Sequence, residues 1–411
     1  MNNGSASFRL LLVLLLAIST APFVSAASVS PRRNSKTKQT SITENSRTQK
    51  RINSLHRARV VRANVRTAAA SRRVHRNYER FYTSSFSAEQ TLGDVAEGED
   101  LVVRQAAINA LGNMNGAIVA IDPSNGRVLS MVNQKLALSA GATPCSTIKI
   151  PVALAALSEN LVTKDTKVLL SKTWGMTLTP ALAHSNNAYF EALGRKLGFE
   201  RYSYYAHQFG LGELAGWNIA GERLGVFPDQ PLEAKLGGVG KMCSFGESIS
   251  MTPLQLGAIV AAIANGGTLY YMQHPLTAEE VMNFQPKIKR HLDIAPVLPE
   301  IEEGMAAAVY YGTARSLRWS FTEEQVLGKT GTCSNHGTRY GWFASFANTN
   351  YGRIVTVIFL QGGRPTFGPK AAEIAGHLYR NLYDQSFFDA AAKFRPASST
   401  NAQPLVHAGV Q

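Results

Sequence analysis

The pattern of apolar and polar residues along the chain predicts a mixed α/β fold. Residues 116–123 (GAIVAIDP) and 127–134 (RVLSMVNQ) are mainly apolar and flank the turn sequence SNG, which indicates a β-hairpin. Three further strands are predicted late in the chain, in the sequences QVLGKTGTCS, RYGWFASFAN and RIVTVIFLQGG. Strands are therefore expected near both ends of the folded part.

Outside these strands the spacing of apolar residues is mostly helical. It predicts helices and loops over 187–265, and helices over 98–111, from Ser146 to about Glu159, over 300–317 and over 368–385. This order predicts an α/β (α+β) fold. An antiparallel sheet built from both chain ends is flanked by helices, and an all-helical lobe is inserted between the early and late strands.

The first 26 residues have the pattern of an export signal. Arg9 precedes an apolar run from Leu10 to Ile18, and the small residues of VSA, ending at Ala26, form a cleavage site. The alternative is an uncleaved anchor, although the apolar run is short for a membrane span of about 20 residues. In both cases the rest of the chain is expected in the periplasm or at the outer face of the cytoplasmic membrane.

Positive charge is concentrated in residues 28–80. This segment has 15 Lys and Arg but 2 Asp and Glu, which leaves 27 basic and 26 acidic residues in the rest of the chain. Residues 27–90 are therefore expected to be a disordered basic linker, and residues 391–411 a disordered tail. The linker is either a solvated spacer or an electrostatic contact with anionic membrane or wall polymer. Nucleic acid would fit the charge but not the export signal.

Candidate chemistry begins with Ser146 and Lys149, which form a Ser-x-x-Lys motif in GATPCSTIKI. A serine in the first helical turn lies near the positive end of the helix dipole, and a lysine three residues later lies on the same face. A lysine in an apolar site can lose its proton and act as a base. The motif alone is weak, because Ser35 and Lys38 repeat it in the basic segment and because Ser146 could simply cap the helix.

Two more short motifs follow. Ser185 and Asn187 form Ser-x-Asn in HSNNAYFEAL, where a hydroxyl and an amide two residues apart can project from a turn into a cleft. Residues 329–332 are Lys-Thr-Gly-Thr, where Gly331 allows a ligand to approach the strand and Lys329 with two hydroxyls would bind a carboxylate. The alternatives are an Asn-rich turn before a helix and an edge strand with a solubilising lysine.

The order Ser-x-x-Lys, Ser-x-Asn, Lys-Thr-Gly is typical of serine acyltransferases that act on penicillin and on D-alanyl peptides. The spacings are 36 residues from Lys149 to Ser185 and 144 residues from Ser185 to Lys329. A chance match to all three motifs in this order is not expected. Ser146 is therefore predicted to be the nucleophile.

On these motifs, residues 98–385 resemble the penicillin-binding transpeptidase domain. The resemblance extends to GAIVAIDPSNGRVLSMV, to FGLGELAGWNIAGERLGVFP (209–228) and to FGESISMTPLQLGAIVAAIANGGTLY (245–270). It implies a β-lactamase-like fold for residues 91–390. It also implies a D,D-transpeptidase that acts on peptidoglycan stem peptides and is acylated by β-lactam antibiotics.

The resemblance further implies a role for each site residue. Ser146 attacks the carbonyl between two D-alanines, and neutral Lys149 takes its proton. Ser185 passes a proton to the leaving D-alanine, and Asn187 positions the substrate amide. The backbone N–H groups of Ser146 and Thr332 stabilise the oxyanion.

In the same resemblance, Lys329, Thr330 and Thr332 bind the terminal carboxylate. No metal or organic cofactor is expected, because the His and Cys residues are not spaced like metal ligands. The chain departs from the family in two respects. Only about 55 residues (91–145) are expected to be ordered before the nucleophile, so a long pedestal domain is expected to be absent, and Cys145 stands where the family often has Gly.

Cys145 also has a parallel in some class A carbapenem-hydrolysing β-lactamases, which bridge the residue before the nucleophile to the second residue after Lys-Thr-Gly. This resemblance implies a disulfide between Cys145 and Cys333, which export would permit. The alternatives are a pair of reduced, buried cysteines and a link that involves Cys243.

Three other activities on the same fold are alternatives, and the sequence argues against them to different degrees. A β-lactamase needs a group that activates water, but the sequence Glu-x-x-Leu-Asn is not found between the second and third motifs, and Glu222 belongs to the transpeptidase pattern. A D,D-carboxypeptidase shares every site residue, so the sequence does not separate it from a transpeptidase. A penicillin sensor that binds the drug without turnover is a further alternative. It is less favoured, because such sensors usually adjoin membrane helices and a cytoplasmic module, which are not expected here.

Overall fold

A computed structural model of the chain describes residues 79–349 and 352–389. The predicted export signal (1–26), most of the predicted basic linker (27–90) and the predicted tail (391–411) lie outside these residues. Within the described ranges, no helix is both long and apolar enough to cross a membrane.

The regular elements are numbered in chain order. The strands are β1 (Gly116–Asp122), β2 (Arg127–Val132), β3 (Val168–Leu169), β4 (Gly175–Met176), β5 (Thr268–Tyr270), β6 (Ile288–His291), β7 (Gln325–Asn335), β8 (Thr338–Thr349) and β9 (Gly352–Gly362). The helices are α1 (Leu101–Leu111), α2 (Gln134–Ala137), α3 (Lys149–Ser158), α4 (Leu178–Ala183), α5 (Asn187–Gln208), α6 (Gly238–Phe245), α7 (Pro253–Ala264), α8 (Ala278–Met282), α9 (Leu298–Tyr310) and α10 (Gly368–Asp384). Short 3-10 helices cover Cys145–Ile148, Ala234–Leu236, Ala295–Val297 and Arg315–Trp319.

One antiparallel sheet, in the strand order β2-β1-β9-β8-β7, lies at the centre of the fold. The early hairpin pairs with the late strand β9, and Ile118 lies opposite Ile358. The prediction of an antiparallel sheet built from both chain ends is confirmed. Because β7 is at the edge of the sheet, one side of this strand can face another element or a ligand.

Both faces of the sheet are buried, which explains why its central strands are apolar runs rather than alternating sequences. In β1, Ala117, Val119 and Ile121 belong to one hydrophobic cluster, whereas Ile118 and Ala120 belong to a second cluster. The first cluster includes α7, all 12 residues of which are buried. The second includes the buried residues of α1 and α10. The sheet is thus the middle layer of three.

The lobe between β2 and β7 is mainly helical but also contains two small sheets. β3 pairs with β4, and β5 pairs with β6, both in antiparallel orientation. The prediction of an all-helical lobe is corrected in this respect. Strands of two to four residues are too short to show a period of two in the sequence.

The helix predicted over residues 300–317 is broken. α9 ends at Tyr310, and a 3-10 helix begins at Arg315. Gly312 lies between them and packs against Ala183, since a Cβ at Gly312 would be 2.2 Å from the Ala183 carbonyl oxygen. The apolar spacing continues through the break, so the spacing of apolar residues by itself does not reveal it.

Residues 79–90, which the sequence analysis assigned to the linker, make specific contacts with the folded part. Ser85 is 6% exposed, and its hydroxyl accepts a hydrogen bond from the Gly363 N–H at 2.7 Å. The hydroxyls of Thr83 and Thr338 are 2.7 Å apart. Contacts with the folded part therefore begin before the boundary expected near residue 90. The sequence did not indicate this, because polar contacts of this kind leave no apolar periodicity.

Candidate active site

Three segments that are far apart in the sequence meet beside the edge strand β7. Ser146 lies in the 3-10 helix that precedes α3, Ser185 lies in the turn between α4 and α5, and Lys329 lies in β7. Hydrogen bonds connect Ser146 to Lys149, Lys149 to Asn187, and Lys329 to Ser185. The residues that the three motifs predicted are thus brought together in one cleft.

Lys149 is fully buried at the first position of α3. Its Nζ lies 2.7 Å from Ser146 Oγ and 2.9 Å from Asn187 Oδ1, and it also contacts the backbone carbonyl of Ser244. Burial and, secondly, the positive charge of Lys329 hold the pKa of Lys149 well below its usual range. A neutral amine has two protons, which Asn187 and Ser244 can accept, so its lone pair is available to the Ser146 hydroxyl.

Two aromatic side chains lie near the amine of Lys149. Its Nζ lies 5.6 Å from the ring centre of Phe190 and 5.8 Å from that of Phe245. These rings come from α5 and α6, so they exclude water from two sides. The charge of Glu191 opposes the decrease in the Lys149 pKa, but its effect is smaller than that of burial.

The backbone around Ser185 and Asn187 is held in an unusual conformation. Ser185 has φ 55, in the left-handed region that non-glycine residues rarely adopt. Asn186 then caps α5, because its Oδ1 accepts the Tyr189 N–H at 2.9 Å. This cap frees Asn187, the first residue of α5, to reach Lys149. Such strain costs about 1–3 kcal/mol and is common at functional sites.

Lys329 is the second buried lysine of the cleft. Its Nζ donates to Ser185 Oγ and to the Thr330 carbonyl, both at 2.9 Å. Burial lowers the pKa of Lys329 to about 7. The side chain can therefore gain or lose its proton near neutral pH, and an anion placed beside it would favour the charged form.

The two threonines of Lys-Thr-Gly-Thr have partners within the protein. Thr330 is 4% exposed, and its Oγ1 lies 2.6 Å from Thr313 Oγ1. Thr332 is half-buried, and its Oγ1 accepts the N–H of Gly368, the first residue of α10, at 2.7 Å. The hydroxyl of Thr330 is therefore less accessible than the motif suggested.

The strand β7 passes close to the turn that contains Ser146. A Cβ on Gly331 would lie 2.9 Å from the Pro144 carbonyl oxygen, so a larger residue would separate the two segments. A disulfide joins Cys145 to Cys333 with a Cα–Cα distance of 5.5 Å, and Cys243 is buried and free. Gly331 and Cys333 are two residues apart and so lie on one face of β7, toward the turn.

Three groups at the site were missed by sequence reasoning. The Ser244 carbonyl, the Thr313 hydroxyl and the Gly368 N–H contact motif residues. Two of them are backbone groups, which leave no signal in the side-chain sequence. Thr313 follows Gly312, and a glycine inside a helical pattern is a cue to a break. In the described part of the chain, no cluster of three or more His, Cys, Asp or Glu is placed to hold a metal ion.

Residues 116–382 match the family model of the penicillin binding protein transpeptidase domain. The chain belongs to this family. It is 28% identical over 319 residues to stage V sporulation protein D of Bacillus subtilis, with 64% of this chain and 48% of that protein covered. Peptidoglycan D,D-transpeptidase MrdA of Acinetobacter baumannii is 24% identical over 368 residues, which cover 69% of this chain and 53% of MrdA. The chain thus spans about half the length of these curated relatives.

Solved structures of the penicillin-binding family share the fold. Penicillin-binding protein PBP2 of Pseudomonas aeruginosa superposes with a TM-score of 0.59 at 24% identity, over 70% of this chain and 77% of that one. The D,D-transpeptidase domain of a peptidoglycan glycosyltransferase from Eggerthella lenta superposes with a TM-score of 0.55 at 20% identity, over 70% of this chain and 82% of that one. The predicted penicillin-binding, β-lactamase-like fold is confirmed.

Proposed function

We propose that this penicillin-binding protein is a serine D,D-transpeptidase of peptidoglycan that works through an acyl-enzyme on Ser146. The observation that carries the proposal is the position of Lys149. Its buried amine lies 2.7 Å from Ser146 Oγ, and its two other hydrogen-bond partners are acceptors. Family membership, and the name of MrdA as a peptidoglycan D,D-transpeptidase, support the same reaction.

In the acylation step, Ser146 Oγ attacks the carbonyl carbon of the penultimate D-alanine, and Lys149 accepts the hydroxyl proton. The amide C–N bond then breaks, and its nitrogen receives, through the Ser185 hydroxyl, the proton that Lys149 took from Ser146. Terminal D-alanine leaves as an amine. Ser185 suits this role because its Oγ accepts a hydrogen bond from Lys329 at 2.9 Å, which supplies positive charge nearby.

The second step resolves the ester on Ser146. An amine from another stem peptide attacks the acyl carbon, gives up a proton to Lys149 and forms a new amide bond. The ester C–O bond breaks, and the Ser146 oxygen regains its proton from Lys149. Asn187 Oδ1 holds Lys149 in place throughout, and the Asn187 side-chain amide N–H group would position the substrate amide. A carboxypeptidase would differ in using water in place of the amine.

Stabilisation of the oxyanion would fall to the backbone N–H groups of Ser146 and Thr332. Such preorganised donors usually contribute the largest share of catalysis in acyl transfer. The disulfide and the close approach of Gly331 to the Pro144 carbonyl support this assignment, because they restrain the two backbones relative to each other.

The proposed location is the periplasm or the outer face of the cytoplasmic membrane. It rests on the signal-like residues 1–26, which lie outside the described residues. Peptidoglycan stem peptides would be substrates, and β-lactam antibiotics would be covalent inhibitors. Residues 28–80 would add an electrostatic contact with anionic membrane or wall polymer, which salt should weaken.

Mass spectrometry of the purified full chain with benzylpenicillin tests the proposal. We expect a stable adduct with the mass of the drug on a peptide that contains Ser146. The Ser146→Ala variant should form none, and Ser35→Ala, which changes the other Ser-x-x-Lys match, should label like the wild type. Failure of the wild type to form an adduct would refute the role of Ser146. Rapid loss of the adduct with turnover of the drug would instead indicate a β-lactamase.

Transfer to an amine distinguishes the transpeptidase from the carboxypeptidase. A stem pentapeptide that ends in D-Ala-D-Ala would be incubated with the protein and a D-amino acid acceptor. We expect the exchanged peptide as the main product. Formation of the tetrapeptide alone, at all acceptor concentrations, would contradict transpeptidation and favour hydrolysis.

A further inference from the structure

A cavity of about 400 Å³ opens on the lobe between β2 and β7 and is formed by residues outside the three motifs. Its lining comes from the loop 213–222, from Tyr271 just after β5, and from Lys289 and Arg290 of β6. Two aromatic rings, those of Trp217 and Tyr271, are combined there with amide, carboxylate and ammonium groups. Ligand pockets have about 300–1,000 Å³ and a mixed lining of this kind, so the cavity is a candidate binding site.

The loop that carries Trp217 is held in place by backbone hydrogen bonds. The Trp217 N–H donates to the Met272 carbonyl, and the Met272 N–H donates to the Ala215 carbonyl, both at 2.8 Å. The carboxylate of Glu222 accepts the Ala215 N–H at 2.8 Å and the Gly216 N–H at 3.0 Å. The loop is therefore preorganised, so a ligand that contacts Trp217 pays little for ordering the backbone.

The two aromatic rings form an apolar corner of the cavity. Their centres are 5.3 Å apart with an angle of 69° between the ring planes, and Trp217 is 44% exposed. The amine of Lys287 lies 4.7 Å from the ring centre of Trp217. The face of an aromatic ring is electron-rich and attracts groups with partial positive charge, including polarised C–H groups.

The ionised groups around this corner are largely paired with one another. The Glu213 carboxylate lies 2.6 Å from the amine of Lys289 and 2.7 Å from the guanidinium of Arg290. The Lys289 side chain is 7% exposed, so its charge is committed to this pair. Glu222 is occupied by two backbone N–H groups. An ionic ligand would have to compete with these partners, so the cavity favours a neutral ligand.

A neutral ligand with one apolar face and a polar rim matches this lining. A pyranose ring has C–H groups on its faces, which suit Trp217, and hydroxyls around its edge. The exposed amide of Asn218 can donate to one oxygen and accept from one N–H or O–H group, as an N-acetyl substituent requires. The cavity thus has the chemistry to bind an N-acetylated sugar.

We propose that this cavity binds a sugar unit of a β-1,4-linked N-acetylhexosamine glycan, with the Trp217 ring as the stacking surface. The choice of glycan rests on the proposed function, because peptidoglycan consists of such strands cross-linked through peptides. A contact with the strand outside the cleft would keep the enzyme on the polymer between acylation events. It would thereby raise the effective concentration of stem peptides at Ser146.

Calorimetric titration of the full chain with the β-1,4-linked tetramer of N-acetylglucosamine tests the proposal. This probe is neutral and contains no peptide, so it reports on the cavity and not on the cleft. We expect saturable binding, which Trp217→Ala should weaken at least about tenfold, as is usual for loss of a central aromatic contact. Cellotetraose has the same linkage but no N-acetyl group, and it should bind more weakly.

Three further variants separate sugar contact from folding. Trp217→Phe keeps an aromatic ring and should bind more tightly than Trp217→Ala. Asn218 has φ 53, which glycine adopts without strain, so Asn218→Gly removes only the amide and should weaken binding about 2- to 10-fold. Trp174→Ala, at a 51% exposed tryptophan outside the cavity, is the matched control and should bind like the wild type.

Thermal unfolding identifies variants that fail to fold, and Asn218→Gly decides the question if Trp217→Ala is one of them. Absence of tetramer binding in a wild type that forms the benzylpenicillin adduct would refute this inference alone. Undiminished binding by the folded loop variants would also refute it, and equal binding of cellotetraose would exclude the peptidoglycan strand as the ligand. Tetramer binding without an adduct would instead refute the proposed function and leave the sugar site supported.

Discussion

The two sides of the cleft each contain one fully buried lysine, and the two lysines differ in their surroundings. Lys149, on α3, contacts the Ser146 hydroxyl and two further oxygen acceptors, and its pKa is lowered by burial and by the charge of Lys329. Lys329, on β7, contacts one hydroxyl and one carbonyl, and burial lowers its pKa to about 7. Neither has a carboxylate within salt-bridge distance in the described part of the chain.

This difference separates the roles that we propose for the two lysines. Since both amines are buried in one cleft, a proton on one disfavours a proton on the other. The lysine that meets an anion retains its charge, and the other is kept neutral. A substrate carboxylate beside Lys329 would therefore favour the charged form of Lys329, while burial favours the basic form of Lys149 that accepts the Ser146 proton.

Among the changes that test the different roles of the two lysines, replacement of Lys149 should have the largest effect on the rate of acylation. We expect Lys149→Met to reduce acylation by about 10²- to 10⁴-fold, as is usual for loss of a general base, because among the described residues Lys149 is the base that is hydrogen-bonded to Ser146 Oγ. The loss should be the same for substrates with and without a terminal carboxylate. Stopped-flow or mass-spectrometric acylation kinetics would measure it, and a loss confined to carboxylate substrates would reverse the assigned roles.

Removal of the disulfide should loosen the two sides relative to each other. The bond between Cys145 and Cys333 closes a loop across a sequence separation of 188 residues. We expect the Cys145→Ala/Cys333→Ala double variant to lose about 2–5 kcal/mol of the free energy of unfolding, measured by urea denaturation.

The matched control for the disulfide is Cys243→Ala, since Cys243 is buried but free. Its cost should be smaller, because it removes a sulfur atom but no cross-link. Peptide mapping without reductant should find one linked peptide pair, containing Cys145 and Cys333. Three free thiols, or a link to Cys243, would show the pairing to be wrong.

Replacement of Lys329 should act on binding rather than on proton abstraction. We expect Lys329→Met to slow acylation by carboxylate substrates about 10- to 150-fold, the value of a charge-assisted hydrogen bond, and to affect a substrate with a terminal amide much less. Thermal unfolding serves as the control for folding. Normal acylation of the remaining folded protein would mean that Lys329 is structural.

The pH dependence of acylation should show an effect no larger than that of Lys329→Met. Charged Lys329 binds the carboxylate, so the rate should fall as pH rises through about 7, the pKa of this lysine, by at most tenfold per pH unit. At acid pH the rate should also fall, because Lys149 must be neutral and its lowered pKa sets where it becomes protonated.

Rate profiles of the wild type and Lys329→Met, from about pH 5 to 9, would resolve the two limbs. The alkaline limb should disappear in Lys329→Met, and it should be absent for the terminal amide in the wild type. If the variant retains the alkaline limb, then another group titrates there.

Much of the architecture was determined by the sequence alone, and the candidate site residues were predicted from it. The apolar runs of β1 and β9 specify strands buried on both faces, whatever packs above them. Ser146, Lys149, Ser185, Asn187 and Lys329 were selected by spacing and order, because a short motif on one turn or strand places its side chains in a nearly invariant local geometry.

The tertiary structure decided what those residues can do. The pKa of Lys149 is lowered by burial and by the charge of Lys329, and the rings near its amine come from α5 and α6, all of them distant from it in the sequence. The Ser244 carbonyl contributes as backbone, which any residue would provide. Thr330 pairs with Thr313, which follows a helix break where Gly312 packs against the Ala183 carbonyl of another element. Burial and hydrogen-bond partners depend on segments that meet only after folding, so local sequence patterns do not contain them.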